Sequence, residues 1–345
     1  MKKVKVLLIG LGRIASLLEN DPLRRKPCTH AGTLLNSKIS SKFDLKYIWD
    51  ENPDRISAFQ KQWKTKAKAK ILPPNFWKTE EIDLAIIATS TDSHWKNLKN
   101  AIESNIPNLL VEKPLVREMK EARQLLELQR NFHFRLWVNH ERRFHPVYAW
   151  AKTLLESGEL GKIKTIYASV LTSAQDPGIA FSGKGGGPLL HDGTHAIDLI
   201  HWFLGMPNSI QAKFHKSNPK YKIEEQAYVW MQYENEANVF LEVGGYRKYF
   251  QFEIDIQTTQ ARFLLGNHGF QFFQTKKSKL YKGFRSLEKT AIPKKILQDS
   301  NPFPRIYKEI AKCIIHDLEP TTGSLNDNLE IMKILTDIKK QGKYF

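Results

Sequence analysis

The first residues that could form a ligand-binding site are the glycines of Gly10-Leu11-Gly12-Arg13-Ile14-Ala15, which follow the apolar run Val4–Ile9. This segment fits the pattern G-x-G-x-x-G/A. In that pattern the first glycine permits a tight turn and the second lets the backbone approach a pyrophosphate. Placed after a strand and at the start of a helix, it predicts a dinucleotide-binding loop whose N–H groups face the phosphates. The cofactor-binding candidates in this loop are Gly10, Gly12, Arg13 and Ile14.

An acidic side chain, Asp50, ends the next apolar run, Phe43–Trp49. A carboxylate at this place accepts hydrogen bonds from both hydroxyls of an adenosine ribose and repels a 2′-phosphate, so NAD is favoured over NADP. Asp50 lies 38 positions after Gly12. Because a separation of about 20 residues is usual, the spacing predicts an insertion within Leu18–Ser41.

Polar residues also follow two later apolar runs. Thr89, Ser90 and His94 come after Leu84–Ala88, and Glu112-Lys113-Pro114 comes after Asn108–Val111. Ligands of doubly wound folds bind at the carboxyl ends of the strands, so these side chains are expected to line a cofactor crevice. Pro114 restricts the backbone after the strand and would direct Lys113 into that crevice.

A third group of reactive side chains lies on a predicted helix that opens near Pro188. His191 and His195 are four residues apart, and Asp192 is three residues before His195, so all three can face the same side. Histidines at this helical spacing can bind zinc, but no third ligand is evident, and no metal site is predicted. Arg143, in Arg143-Phe144-His145-Pro146, is a candidate for holding an anionic substrate.

The elements that must position these residues differ between the two parts of the chain. In the first third, the four apolar runs named above are typical of buried parallel strands. Helical patterns over Asp54–Trp63 and Trp95–Ser104 lie between them. The order β-α-β-α-β predicts a Rossmann-type, doubly wound parallel sheet.

From about residue 150 the pattern changes to closely spaced runs rich in β-branched and aromatic residues, which predict one large, mostly antiparallel open sheet. The predicted strands are Lys164–Leu171, Ser209–Phe214, Gln226–Tyr233, Asn238–Val243, Phe250–Gln257, Ala261–Leu265 and Gly269–Phe273. The predicted helices are Lys120–Gln129, Tyr148–Glu156, Leu189–Leu204, Phe303–Ile315 and Leu325–Lys340. The fold class is therefore α/β, with an NAD(P)-binding Rossmann domain at 1–117 and a substrate and oligomerisation α+β domain at 118–345.

The amino-acid composition limits the classes of protein to which the chain can belong. The 345 residues carry 53 Lys and Arg against 36 Asp and Glu, a net charge of +17 that attracts anions. Only Cys28 and Cys313 are present, so a disulfide framework is excluded and a cytoplasmic location is expected. No apolar stretch approaches the roughly 18 residues of a membrane span. The basic runs Lys64–Lys70 and Lys276–Arg285 are expected to be solvated surface loops.

Four ordered motifs carry a family resemblance. They are the glycine fingerprint with Asp50, the segment Ala88-Thr89-Ser90-Thr91-Asp92-Ser93-His94, the tripeptide Glu112-Lys113-Pro114, and the run Gly185-Gly186-Gly187-Pro188-Leu189-Leu190-His191-Asp192-Gly193-Thr194-His195-Ala196-Ile197-Asp198. Together they make the chain resemble the glucose–fructose oxidoreductase / inositol dehydrogenase (Gfo/Idh/MocA) family over nearly its whole length. The resemblance implies a Rossmann domain plus an open-sheet domain, bound NAD(P), and hydride transfer at a carbon of a sugar, inositol or related polyol.

The resemblance also implies roles for individual residues. Lys113 would lie by the nicotinamide and the reacting hydroxyl, where its charge stabilises a developing alkoxide. His195 matches the family's acid/base histidine. The family has Asp four residues before that histidine, whereas here His191 stands at that place and Asp192 follows. Two arrangements remain open. In one, Asp192 orients His195. In the other, His191 occupies the substrate-facing place. The first is preferred, with Lys113, His195 and Asp192 catalytic and Lys113, Arg143, His191, Asp192 and His195 binding substrate.

The leading hypothesis is an NAD-dependent oxidoreductase whose partner is a small sugar or nucleotide sugar, which the positive charge suggests is anionic. A net dehydrogenation and an internal redox cycle both remain open. The alternative is a catalytically inactive, dinucleotide-sensing regulatory protein of the same fold. A nucleic-acid binder would rest on charge alone, since no recognisable nucleic-acid motif is present, so no nucleic-acid partner is predicted. The open sheet and the resemblance predict a homodimer or homotetramer.

Overall fold

The structure, a computed structural model, describes residues 3–69, 82–172, 186–217, 223–245, 247–298 and 300–344. The chain forms two compact units. Unit 1 comprises Met1–Phe144 and Asn301–Leu329, and unit 2 comprises His145–Ser300 and Glu330–Phe345. The division differs from the predicted boundary at 117/118, because residues 118–144 and a segment near the C-terminus complete the first unit.

Unit 1 is built on a six-stranded parallel sheet with the strand order β3-β2-β1-β4-β5-β6. Its strands are β1 (Val4–Ile9), β2 (Phe43–Trp49), β3 (Lys68–Ala69), β4 (Leu84–Ile87), β5 (Asn108–Val111) and β6 (Arg135–Val138). The central strands β1, β4 and β5 are buried on both faces, which their continuous apolar sequences explain. The predicted doubly wound sheet is confirmed.

Helices α1 (His30–Asn36), α2 (Pro53–Trp63), α3 (Thr91–Glu103) and α4 (Met119–Asn131) belong to unit 1. Helix α2 begins where Asn52 accepts a hydrogen bond from Asp54 N at 2.8 Å and Pro53 occupies the first helical position. Both features favour a helix start, because the side-chain oxygen satisfies an unpaired N–H group and proline has none to satisfy. The helices place the strand ends, and the polar residues that follow them, at one edge of the sheet.

Unit 2 contains a nine-stranded sheet in the order β14-β13-β12-β11-β7-β10-β9-β8-β15. Its strands are β7 (Ile163–Leu171), β8 (Ser209–His215), β9 (Gln226–Gln232), β10 (Asn238–Gly244), β11 (Gln251–Thr258), β12 (Ala261–Gly266), β13 (Gly269–Lys277), β14 (Arg285–Thr290) and β15 (Gly342–Tyr344). The pairs β7–β10 and β8–β15 are parallel and the other pairs antiparallel. The predicted large, mostly antiparallel sheet is therefore confirmed.

Helices cover one face of this sheet and leave the other face open. Helices α5 (Pro146–Glu156), α6 (Thr194–Leu204) and the short α7 (Lys294–Gln298) belong to this unit, and α6 contacts β7. The other face presents partly exposed aromatic rings, among which Tyr167 stacks on Phe240 with ring centroids 5.3 Å apart. Trp230 stacks on the other side of Phe240 at 6.2 Å. A row of aromatic side chains thus follows the face that these helices leave open.

The chain returns to unit 1 through helix α8 (Pro302–His316), and helix α9 (Leu325–Gln341) follows. Helix α8 buries Phe303, Ile306, Tyr307 and Ile310 in the same apolar core as Val6 and Ile48 of the parallel sheet. Asn301 caps its start by accepting a hydrogen bond from Phe303 N at 3.1 Å. The core of unit 1 therefore contains residues from both ends of the chain.

Candidate active site

The fingerprint loop lies at the carboxyl edge of the parallel sheet, between β1 and the end of β4. Gly10 has a φ of +85°, and a Cβ atom added there would lie 2.8 Å from the backbone carbon and oxygen of Ala88. Glycine is therefore required by both conformation and space. A Cβ atom on Gly12 would meet nothing within 4 Å, so the backbone there is open to a ligand.

The segment after the loop departs from the prediction that it opens a helix. Residues 13–16 form turns and Leu17–Asn20 a 3₁₀-helix, and the first α-helix begins only at His30. Ser16 N donates to Gly12 O at 3.0 Å, which makes a single helical turn. Arg13 and Ile14 therefore remain candidates for phosphate contact within one turn instead of at the start of a long helix.

Helix α1 continues from that turn across an insertion. His30 N donates to Ile14 O at 3.2 Å and Ala31 N donates to Ala15 O at 2.9 Å. In an uninterrupted helix these carbonyls accept from the residues four positions later. The chain therefore makes an excursion of about twelve residues and then resumes the same helical path. This excursion accounts for the long spacing to Asp50 and lies within the predicted range.

Glu19 holds the excursion closed. Its Oε2 atom accepts from Cys28 N at 3.0 Å and from Thr29 Oγ1 at 2.8 Å. Thr29 in turn caps α1 by accepting from Gly32 N at 3.0 Å. These bonds join both ends of the excursion beside the first turn of α1.

Asp50 ties the end of β2 to the fingerprint loop. Its carboxylate accepts from Leu11 N at 2.8 Å and from Asn52 N at 2.9 Å, and its side chain is 3% exposed. The guanidinium of Arg55 lies 3.6 Å away. A carboxylate can accept about four hydrogen bonds, so these two leave capacity for a ribose hydroxyl. The proximity of Arg55, on α2, was not anticipated.

Thr89, Ser90 and His94 lie where β4 passes into α3, as the sequence predicted. His94 is fully buried, and its ring nitrogens lie 3.1 Å from Thr89 O and 2.9 Å from Pro114 O. Burial lowers the pKa of His94, so the ring is neutral and donates to only one of these carbonyls. His94 thereby joins the loops after β4 and β5, while Ser90 is exposed at the crevice edge.

Glu112 lies between the end of β5 and Lys113, and its side chain belongs to a buried polar network. Its Oε1 atom lies 2.9 Å from His30 Nε2 and accepts from Asn139 Nδ2 at 2.6 Å, while His30 Nδ1 lies 2.7 Å from the Tyr307 hydroxyl. Burial raises the pKa of Glu112, but the bonds and charge supplied by His30 and the bond from Asn139 outweigh it and leave that pKa lowered. The ionised carboxylate accepts only, so His30 Nε2 carries a proton and donates to it, while His30 Nδ1 pairs with the Tyr307 hydroxyl.

His30, Asn139 and Tyr307 were not predicted as site residues. The contacts of Glu112 with His30 and of His30 with Tyr307 span 82 and 277 positions. A local motif signals neither contact. Glu141 was also missed. Burial raises its pKa, and Arg142, Glu112 and Lys113 lie close enough to influence it. A second carboxyl group thus lies within electrostatic range of Lys113, which is partly exposed at the edge of the sheet.

Arg143, a predicted substrate-binding residue, is buried inside unit 1. Its side chain is 1% exposed, and Nη1 donates to Thr322 Oγ1 at 3.0 Å and lies 3.4 Å from Asp327 Oδ1. A guanidinium held this way inside unit 1 joins the 3₁₀-helix at Glu141–Phe144 to Thr322 and to Asp327 in the first turn of α9. Arg143 therefore contributes to the packing of the unit, and its role in substrate binding stays a prediction.

In unit 2 the predicted histidine helix begins with a π-helical turn. Residues Leu189–Gly193 are π-helical and α6 follows from Thr194. His191 Nδ1 lies 2.8 Å from Asp192 Oδ1, and the two side chains are 41% and 21% exposed. His195 is partly exposed one residue into α6. The structure thus pairs His191 with Asp192, and both precede His195 on a turn wider than an α-helical one.

Among the residues that the structure describes, no group of three or more His, Cys, Asp or Glu side chains is placed to hold a metal ion. No helix among these residues combines the length and hydropathy needed to cross a bilayer. Gly185, the first residue of the glycine run before the π-helical turn, lies outside the described residues.

Comparison with known families gives two matches. Residues 4–140 match the model described as oxidoreductase family, NAD-binding Rossmann fold. Residues 148–264 match the model of the GFO/IDH/MocA C-terminal domain. Together these cover most of the chain, and each lies largely within one of the two structural units.

Individual relatives match over shorter segments. The scyllo-inositol 2-dehydrogenase (NAD(+)) of Bacillus subtilis is 34% identical over 125 residues, which is 36% of each chain. An uncharacterised oxidoreductase of Escherichia coli, YhhX, is 29% identical over 43% of this chain and 44% of its own. The chain therefore spans less than half the length of these two curated relatives.

Solved structures match over nearly the full chain. The WlbA dehydrogenase from Bordetella pertussis, in complex with NADH and UDP-GlcNAcA, has a TM-score of 0.80 at 18% identity, over 99% of this chain and 95% of its own. The myo-inositol 2-dehydrogenase from Lactobacillus plantarum has a TM-score of 0.77 at 18% identity, over 99% and 97%. At this identity the likeness concerns the fold.

Proposed function

Since the chain belongs to the GFO/IDH/MocA oxidoreductase family, we propose that it is an NAD(P)-dependent dehydrogenase acting on a CH–OH group of a sugar, nucleotide sugar or inositol-type polyol. One observation carries the proposal. The tripeptide Glu112-Lys113-Pro114 lies at the same sheet edge as the glycine loop, and its carboxylate is held by His30 and Asn139. A strand end fixed this firmly offers a lysine at the place where doubly wound folds bind ligands.

The residues present fit a dinucleotide. Gly10 makes the tight turn, the open backbone at Gly12 admits a pyrophosphate, and Asp50 offers acceptor capacity for a ribose hydroxyl. Thr89 and Ser90 provide polar groups where β4 ends. When bound there, NAD(P)⁺ supplies the acceptor for the hydride that leaves the substrate carbon.

Lys113 would act on the substrate oxygen. A lysine ammonium donates a hydrogen bond to the reacting hydroxyl and stabilises the negative charge that develops on its oxygen. Because the network around Glu112 leaves the main chain little freedom, the Lys113 side chain starts from a fixed position.

His195 is proposed to exchange the proton of the substrate hydroxyl. The pair His191–Asp192 lies one turn before it, with His191 Nδ1 2.8 Å from Asp192 Oδ1. Asp192 is proposed to orient the histidines, and His191 to contact the substrate beside His195. In this arrangement the change from the family's aspartate to His191 places a titratable donor toward the substrate.

Turnover of two variants tests the assignment. Lys113→Ala and His195→Ala should each lower kcat by at least roughly 100-fold, since positioned acid–base groups contribute about 10²–10⁴. NADH affinity should stay within about threefold of the original, because most of the dinucleotide contacts remain. His268→Ala, also in unit 2, is the control and should keep normal turnover. Full activity of either catalytic variant would remove that residue from the mechanism.

The substrate class is tested with a panel of sugars, inositols and uridine-linked sugars, the last including a carboxylated one. The +17 charge favours anionic substrates. WlbA was solved with NADH and UDP-GlcNAcA, so a nucleotide-linked sugar acid is a suitable first compound. Product without net NADH would identify an internal redox cycle. Tight NAD(H) binding with no product across the panel would instead support the dinucleotide-sensing alternative.

NAD is proposed as the cofactor in preference to NADP. The Asp50 carboxylate repels a 2′-phosphate, although Arg55 beside it could neutralise one. Asp50→Ser should raise the kcat/KM for NADP relative to NAD, and Arg55→Ala should leave NAD use unchanged. If the original protein already prefers NADP, and Arg55→Ala abolishes that preference, the assignment is wrong.

A homodimer or homotetramer is proposed to form through the open face of the nine-stranded sheet, and the protein is proposed to act in the cytoplasm. Tyr167, Trp230 and Phe240 form an aromatic row on this face, and such rows are typical of interface cores. Light scattering should give at least twice the 40.0 kDa chain mass. Tyr167→Glu with Phe240→Glu should shift that mass to a monomer.

A further inference from the structure

A basic hairpin in unit 2 has no place in the proposed reaction. Its loop, residues 278–284 between β13 and β14, is closed by Ser278 N donating to Phe284 O at 2.9 Å. Ser278 Oγ also accepts from Leu280 N and Tyr281 N, each at 3.2 Å. These hydrogen bonds fix the backbone of the loop and so the positions from which its tip side chains project.

The tip of the hairpin is apolar and exposed. Leu280, Tyr281 and Phe284 are 81%, 67% and 68% exposed, and the rings of Tyr281 and Phe284 meet edge to face at 6.2 Å. Leu287 on β14 adds a fourth side chain at 48%. Exposed apolar side chains clustered this closely mark an interaction surface, whereas single ones do not.

Positive charge is concentrated in this hairpin and the segment after it. The segment 276–298 contains eight cations, Lys276, Lys277, Lys279, Lys282, Arg285, Lys289, Lys294 and Lys295. Its only acidic residue is Glu288, which lies 3.5 Å from Lys276 and 3.8 Å from Lys279. Seven of the 17 net positive charges therefore fall in a segment of 23 residues. The hairpin thus combines an apolar tip with a cationic rim, which is formed by the five cations in the loop and on the strand ends that enter it, Lys276, Lys277, Lys279, Lys282 and Arg285.

We propose that this hairpin docks the protein on the surface of a membrane that contains anionic phospholipid. Leu280, Tyr281 and Phe284 enter the interfacial region, and the surrounding lysines bind the headgroups, a combination that gives reversible peripheral attachment. The proposal is independent of the dehydrogenase assignment, because the hairpin contributes no residue to it.

Two other occupants fit the surface less well. A nucleic acid would need flat ring faces for its bases, but Tyr281 and Phe284 are nearly perpendicular at 71°, and the most exposed residue, Leu280, is aliphatic. A second copy of the chain docked through the same hairpin would bring two strongly positive segments together. An anionic lipid surface satisfies both the apolar tip and its rim.

Sedimentation of the full chain with lipid vesicles tests the proposal. Vesicles with about 30 mol% phosphatidylserine should sediment the protein, and pure phosphatidylcholine vesicles should not, because each lysine near an anionic surface adds to binding. Raising the salt should release it. Leu280→Ser with Tyr281→Ser and Phe284→Ser should weaken binding by at least roughly tenfold, since three apolar side chains no longer enter the interface.

Charge variants separate the hairpin from the general charge of the protein. Lys279→Glu with Lys282→Glu should weaken binding by at least roughly tenfold. Lys64→Glu with Lys66→Glu changes the net charge equally at another exposed basic run and should weaken it much less. Leu23→Ser, at a side chain 94% exposed in unit 1, controls for the serine variant. Unchanged urea midpoints establish that each variant is folded.

Several results would overturn the proposal. These are no sedimentation with either vesicle, equal sedimentation with both, or equal loss in the two charge variants. Tighter retention on a single-stranded oligonucleotide than on vesicles, abolished by the serine variant, would assign the hairpin to nucleic acid. A fall in assembly mass in the serine variant, with vesicle binding intact, would assign it to self-association.

Discussion

Removal of one buried hydroxyl, by Tyr307→Phe, tests the network that fixes Glu112. The Tyr307 hydroxyl lies 2.7 Å from His30 Nδ1, and both residues are fully buried. Without it, that nitrogen is left in the core without its hydrogen-bond partner, at a cost of about 1–3 kcal/mol. With a urea dependence of about 2 kcal/mol per molar, the unfolding midpoint of unit 1 should fall by roughly 0.5–1.5 M.

A matched substitution in the other unit should behave differently. The Tyr233 hydroxyl is buried in unit 2 and has no hydrogen-bond partner among the described residues, and burial raises its pKa. Tyr233→Phe deletes the same atom but removes an unsatisfied group, so it should leave the free energy of unfolding unchanged or raise it by about 1–2 kcal/mol. The pair separates the value of the hydrogen bond from the general effect of losing a hydroxyl.

Urea unfolding followed by far-UV circular dichroism and by tryptophan fluorescence provides the measurement. Both signals must be fitted for each variant, because two units can unfold in separate transitions. A Tyr307→Phe protein within about 0.5 kcal/mol of the original would refute the reasoning, since surface substitutions cause changes of that size. A loss of stability in Tyr233→Phe as large as that in Tyr307→Phe would refute it equally.

Three further changes have expected outcomes. Gly10→Ala should lower the free energy of unfolding by about 2–4 kcal/mol and weaken NADH binding in a fluorescence titration, since its Cβ meets the Ala88 backbone at a positive φ. The pKa of Glu112 is lowered in the folded protein, so its ionised carboxylate stabilises the fold above about pH 4.5, the ordinary pKa of a glutamate. This stabilisation is lost as the pH falls through the lowered pKa. Glu112→Gln should therefore flatten the acid side of a plot of urea midpoint against pH. Burial raises the pKa of Cys28 and of Cys313 to about 11. Iodoacetamide at pH 8 should therefore alkylate the folded protein roughly 100-fold more slowly than a free thiol, and the urea-unfolded protein at the normal rate.

Most of the fold could be predicted because the signals are local. The strands β1, β2 and β5 have the predicted bounds, since each is an apolar run ended by a glycine or a polar residue. Strand β14 was not predicted, because Leu287 is the only apolar residue among its six and the strand lies at the edge of the sheet. The ends of the basic run Lys276–Arg285, which was expected to be a surface loop, belong to β13 and β14. Helix α1 was missed because the insertion separates it from the turn it continues.

Some residues of the candidate site could be predicted from the sequence and others could not. Asp50, His94 and Lys113 were placed correctly at the carboxyl edge, because a parallel sheet brings all its strand ends to one side. His30 and Tyr307 could not be inferred, since their contact joins residues 277 positions apart and each type is common in packed cores. The burial of Arg143 could not be inferred either, because sequence does not distinguish a buried guanidinium from an exposed one.

The return of α8 to the first unit affects how the protein is made. Phe303, Ile306 and Tyr307 complete a core whose strands are synthesised first, and 156 residues from His145 to Ser300 intervene. During synthesis, the sheet with its glycine loop therefore keeps part of its apolar surface uncovered until helix α8 has emerged from the ribosome. The unit that carries the glycine loop begins before unit 2 in the order of synthesis and is completed only after most of unit 2 has been made.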